Sequence, residues 1–247
     1  MWKLFNQLAS PPHFYRLAAT LIPWLLFPGL ILVAWGSYNG LFVAPTDYQQ
    51  GDAYRIIYVH VPAAYLSMVA YMFMAVGGAI GLIWKMKLAH AVGAAAAPLG
   101  GAFTFLALAT GSIWGRPMWG TWWEWGDPRL TSELILLFLY FGYMAMRSSI
   151  DDTAKADKAC AVLSLVGVVN VVVVHYSVVW WSSLHQGQTV LKGAMDPAML
   201  RPLLAMIVGF TLIFGALLAR RIRTEVLFRE RRTRWVRELI LAPEGGR

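Results

Sequence analysis

Five stretches of this chain, residues 17–46, 56–84, 88–115, 159–191 and 202–219, contain no Lys, Arg, Asp or Glu. Crossing the hydrocarbon of a bilayer takes about 20 mostly apolar residues in a helix, and four of these stretches exceed that length. A sixth stretch, 134–146, is shorter. It reaches spanning length by borrowing its outer end from Leu130, which places Glu133 near an interface or inside a polar site. Backbone polar groups inside lipid must be satisfied within the segment, so long apolar runs of this kind fold as helices. Composition agrees: 58% of residues are hydrophobic and 14% charged, whereas soluble domains carry about 25% charged residues. Disorder is excluded by the same numbers. The single cysteine, Cys160, excludes a disulfide framework, a Cys-based zinc site, a thiolate-held iron–sulfur cluster and a C-x-x-C-H haem attachment motif.

The predicted fold class is all-α: one polytopic domain over residues 1–247 with six transmembrane helices at approximately 17–36, 59–84, 90–113, 130–147, 159–181 and 202–219. The first span outlasts the apolar core of a signal peptide and no clear small-x-small cleavage site follows it, so it reads as a retained helix, with Pro23 and Pro28 tolerated as kinks. Charge sets the expected orientation. With both termini in the cytoplasm, Lys3, Arg16, Lys85, Lys87, Arg147, Lys155, Lys158 and the arginines from Arg220 onward lie inside. Arg55, Arg116, Arg129, Lys192 and Arg201 then lie outside, as the positive-inside rule favours. The net charge of +8 therefore follows the membrane's own asymmetry and is not a nucleic-acid signal. The basic tail, 220–247, mixes arginines with Ile222, Val226, Leu227 and Trp235. It reads as an interfacial anchor on anionic lipid in preference to a docking segment.

Chemistry points to the outer side. Residues 114–131 read W-G-R-P-M-W-G-T-W-W-E-W-G-D-P-R-L-T, with Trp114, Trp119, Trp122, Trp123 and Trp125 interleaved with glycine and proline. Belt tryptophans at membrane interfaces are usually scattered singly; packed into one irregular loop, they predict an aromatic shelf suited to a large, flat, apolar ligand. Trp180 and Trp181 end the fifth span, His185 follows them, and His60 stands at the mouth of the second span. Two neutral imidazoles across a flat aromatic shelf are what a six-coordinate haem iron requires. His175 reads as a packing residue inside the fifth span, His90 lies toward the cytoplasmic side, and His13 belongs to the N-terminal tail. Arg55, Arg116 and Arg129 could meet haem carboxylates through bidentate guanidinium contacts. A local salt bridge of Arg129 with Asp127 or Glu124 is equally compatible with the spacing.

The run W-G-R-P-M-W-G-T-W-W-E-W, followed by D-P-R-L-T-S, closely resembles the tryptophan-rich "WWD" signature of membrane haem-handling proteins. Six spans, the short length, and one outer histidine on each side of the signature resemble the CcmC branch, haem exporter protein C of system I cytochrome c maturation. The likeness covers nearly the whole chain. It implies a protein of the bacterial inner membrane that holds haem b non-covalently at the periplasmic face and presents it to the chaperone CcmE. CcmA and CcmB form the associated ABC module, with CcmD assisting. By position, His60 and His185 match the two axial ligands, the five tryptophans match the signature, and Asp127 and Arg129 match its acidic and basic ends. The resemblance implies binding and transfer without enzymatic chemistry of the chain's own; the alternatives are a haem export permease subunit or a cytochrome c haem lyase or synthase of the same signature. One departure is Gly126, inserted just before Asp127, where the freedom of glycine would absorb the extra residue.

Overall fold

The computed structural model describes residues 10–181, 183 and 195–241. His185 and Lys192 lie outside the described residues. The chain forms α1 (Pro11–Tyr38), α2 (Ile57–Trp84), α3 (Lys87–Trp119), α4 (Pro128–Ser149), α5 (Thr153–Trp180), α6 (Pro197–Arg229) and α7 (Arg234–Leu241). Six of them are long and apolar enough to cross a membrane, and no strand occurs among the described residues. This is an all-α polytopic membrane protein. Each predicted span falls on one helix, but the helices are longer. At about 1.5 Å per residue, the 33-residue α3 reaches about 50 Å, well beyond a hydrocarbon core of about 30 Å.

Helices α2 and α3 pack along one another at the centre, with α1 and α6 paired on one side and α4 and α5 on the other. Small residues permit this closeness. A Cβ on Gly29 of α1 would stand 3.1 Å from the Gly209 carbonyl of α6, and one on Gly209 would stand 3.0 Å from that of Gly29. Apolar lipid gives helices little hydrophobic reason to associate, so such backbone approach supplies the packing energy. The main core, around Leu66, Tyr71, Met74, Leu136 and Tyr140, binds α2, α3 and α4. Tyr140 donates its hydroxyl to the Ser67 carbonyl at 2.6 Å.

The two ends of the bundle differ. At one, Arg147 of α4, Asp157 of α5, and Glu225 and Arg229 of α6 form a closed ring of ion pairs. The links are Arg147–Asp157 at 2.7 Å, Arg147–Glu225 at 2.8 Å, Arg229–Asp157 at 2.7 Å and Arg229–Glu225 at 2.7 Å. Both described ends of the chain meet here: Trp235 of α7 lies 5.8 Å from the Tyr15 ring, and the Arg223 guanidinium sits over that ring at 4.2 Å. Asp152 caps α5 at the same end; the Lys155 backbone N–H bound to its carboxylate holds its pKa below the usual range.

The other end gathers the tryptophans. Helix α1 finishes in a widened turn, Asn39–Val43, whose last carbonyls need donors from beyond the ladder. Arg55 supplies it, donating to the Gly40 carbonyl at 2.7 Å and the Ala44 carbonyl at 2.9 Å, while its Nε pairs with Asp52 at 2.9 Å. Tyr58 donates to the Met199 carbonyl at 3.2 Å and joins α2 to the start of α6.

Candidate functional site

Helix α3 continues through Gly115 and Pro117 to Trp119, so the irregular part of the tryptophan segment is residues 120–127, not 114–131. Its boundaries are set by Gly120 and Asp127. Gly120 takes the left-handed conformation, φ 78°, and returns its N–H to the Arg116 carbonyl at 3.1 Å, an end that favours glycine. Asp127 caps α4: its Oδ1 accepts from the N–H of Arg129 at 2.9 Å and of Leu130 at 3.0 Å, and Pro128 follows in the first turn. Gly126, read from the sequence as an insertion, does not use glycine's freedom. Its φ is not in the left-handed region, and a Cβ there would meet only Glu124 Oε1, at 3.4 Å. The extra residue is absorbed by an ordinary turn in which Asp127 N–H bonds the Glu124 carbonyl at 3.1 Å.

The five tryptophans divide by environment. Trp114 is buried and bonds Gln50 Oε1 at 3.0 Å, packing with Tyr54, Tyr58 and Leu203. Trp119 is half-buried, its ring lying over Gly115. Trp122 and Trp125 are 56% and 72% exposed. Trp123 lies between, edge-on to Trp125 with centroids 5.4 Å apart, and its buried indole N–H finds no hydrogen-bond partner among the described residues. The exposed indoles of the loop are therefore Trp122 and Trp125, with Trp123 part-buried against Trp125, while Trp114 belongs to the packed interior around Tyr54, Tyr58 and Leu203. Thr131 holds the loop down by donating to the Trp125 carbonyl at 2.9 Å.

His60 packs against Trp114. It is 8% exposed, between α2 and α3, with its ring edge-on to Trp114 at 5.6 Å and Nδ1 3.0 Å from Thr110 Oγ1. Gly111 leaves room for it; a Cβ there would come within 3.1 Å of the imidazole Cε1. The structure also ties the loop to the segment after α5. Ser183 donates to Asp127 Oδ2 at 2.7 Å, two residues before His185. Asp127, itself 3% exposed, thus both caps α4 and tethers the chain that carries the second histidine.

The arginines separate likewise. Arg55 spends donors on Gly40, Ala44 and Asp52, and Arg116 bonds the Gly120 carbonyl, so both close helix ends. Arg129 makes a longer contact, 3.5 Å to the Val174 carbonyl of α5. His175 is exposed beside Tyr176, in a membrane-facing groove between α2 and α5, and is not packed inside the bundle as its sequence position suggested. Glu133 is buried, with Oε1 unpartnered among the described residues, which answers the sequence question in favour of the interior. Gln50, Thr110 and Ser183 were invisible to sequence reasoning; each acts on a residue far along the chain, and no local pattern signals that. No group of three or more His, Cys, Asp or Glu suited to a metal occurs among the described residues.

The fold and this end of it define a six-helix membrane protein with a buried histidine packed on Trp114, in the helix that leads into a tryptophan loop. Comparison with known proteins narrows the class. A family model described as Heme exporter protein C matches residues 4–237. Heme exporter protein C of Escherichia coli (strain K12) is 52% identical over 241 residues, 98% of each chain. That of Bradyrhizobium diazoefficiens is 47% identical over 92% of this chain and 87% of the relative, and that of Haemophilus influenzae 44% over 97% and 98%. The chain belongs to the heme exporter protein C family.

Proposed function

We propose that this protein holds haem b non-covalently at the periplasmic face of the bacterial inner membrane and presents it to CcmE during cytochrome c maturation. It works with CcmA, CcmB and CcmD. The observation that carries the reading is His60, buried against α3 a short way before the tryptophan loop, with its ring oriented by Thr110 and Trp114. The residues present fit the group. Haem needs axial nitrogen donors and apolar contact for its faces, and this end of the bundle offers an oriented imidazole and exposed indoles together.

In this reading His60 and His185 would supply the imidazole nitrogens that hold the iron. Trp122, Trp123 and Trp125 lay rigid apolar area against the ligand at small entropic cost, while Trp114 packs against His60 and Trp119 over Gly115. Arg129 is the first choice for a propionate; Arg55 and Arg116, engaged at helix ends, serve mainly to shape the loops. Asp127 brings the His185 segment and the loop together through Ser183. Haem itself supplies the iron and the vinyl edge at which the bond to CcmE forms; the chain binds and orients. The basic tail and the ring of ion pairs then face the cytoplasm, in keeping with the positive-inside rule.

The test is covalent haem loading of CcmE in membranes carrying the full chain or its His60→Ala and His185→Ala variants. Both variants should accumulate in the membrane and fail to load CcmE. Wild-type loading in both would overturn the assignment.

A further inference from the structure

The contact between His60 and Thr110 specifies more than the position of the ring. A threonine hydroxyl carries one proton. Thr110 Oγ1 lies 2.6 Å from the Leu106 carbonyl in its own helix, 3.2 Å from that of Ala107, and 3.0 Å from His60 Nδ1. A carbonyl can only accept, so the shortest of these contacts commits the hydroxyl proton to Leu106. The oxygen then meets Nδ1 as an acceptor, and Nδ1 must carry the imidazole proton. In a neutral ring the lone pair therefore resides on Nε2.

We infer that Thr110 is a positioning residue that fixes His60 in the Nδ1–H tautomer and so prepares Nε2 to ligate iron. This rests on the reading of His60 as an axial ligand. Histidines that bind metals commonly donate their other ring N–H to an acceptor, which sets ring orientation and raises ligand basicity. Here the acceptor comes from the neighbouring helix, and its own proton is held in the α3 backbone. The methyl group of Thr110 has no part in this, so serine substitutes for threonine and valine does not.

The experiment compares detergent-purified full chain with Thr110→Val, Thr110→Ala, Thr110→Ser and His60→Ala, measuring haem affinity by titration, the low-spin Soret band and the haem midpoint potential. Thr110→Val and Thr110→Ala should bind haem about 10- to 100-fold more weakly. Their potential should rise, because a less basic imidazole stabilises ferric iron less. Thr110→Ser should match the wild type. Wild-type affinity and potential in Thr110→Val and Thr110→Ala would overturn the inference, as would equal loss in Thr110→Ser. A low-spin spectrum retained in His60→Ala would instead defeat the axial-ligand reading beneath it, so the two failures are distinguishable.

Discussion

Asp127 makes two separable connections, and substitutions can remove them one at a time. Ser183→Ala deletes the hydroxyl that donates to Oδ2 at 2.7 Å and leaves the α4 cap in place. A hydrogen bond to a charged group contributes about 1.5–3 kcal/mol. With Asp127 almost wholly buried, most of that should be felt. The tether between the tryptophan loop and the segment after α5 should then open about 10- to 100-fold more often. Asp127→Ala removes the tether and also the acceptor for the Arg129 and Leu130 N–H groups, which have no partner inside their own helix. Loss of such a cap costs about 1 kcal/mol, about fivefold more in local opening. Amide hydrogen exchange of the detergent-purified chain reads both. Ser183→Ala should speed exchange in residues 120–127 and spare the first turn of α4; Asp127→Ala should speed both. Unchanged exchange of the loop in Ser183→Ala would refute the tether, and unchanged exchange of the first turn in Asp127→Ala would refute the cap.

Three further outcomes follow from the packing. Asp157→Ala leaves Arg147 and Arg229, both largely withdrawn from solvent, without their shared carboxylate. Breaking a buried pair costs about 3–5 kcal/mol, and partial exposure with Glu225 still in place puts this case at or below the lower figure; thermal unfolding in detergent should show it, and a melting temperature equal to wild type would count against the ring. Gly120→Ala should destabilise the α3 end by about 1–2 kcal/mol, because the left-handed conformation penalises a Cβ. Gly126→Ala should be close to neutral, and the same measurement separates the two glycines.

Much of the architecture was readable because the bilayer imposes a one-dimensional constraint. A run of apolar residues is either long enough to span or it is not, so five spans followed from where Lys, Arg, Asp and Glu stop, and the sixth from extending a short run across Glu133. Helix ends were harder. Pro117 and Gly115 looked like breakers and lie inside α3: Pro117 offers no N–H to the Ile113 carbonyl but the helix runs on for two more residues, and the Trp119 ring covers Gly115. Gly120, three residues beyond Pro117, was the effective stop.

The site divides along the same line. Residue type alone singled out the tryptophan-rich segment and offered His60 and His185 as candidates, because clustered aromatics with an imidazole nearby restrict the chemistry strongly. Which of those residues face outward, and which serve the fold, was decided by contacts between distant segments. Gln50 with Trp114, Thr110 with His60 and Ser183 with Asp127 join positions dozens of residues apart. Sequence specifies what each helix can bury, period by period; only the packed bundle settles which donor meets which acceptor, because that depends on how the helices are rotated and staggered against one another.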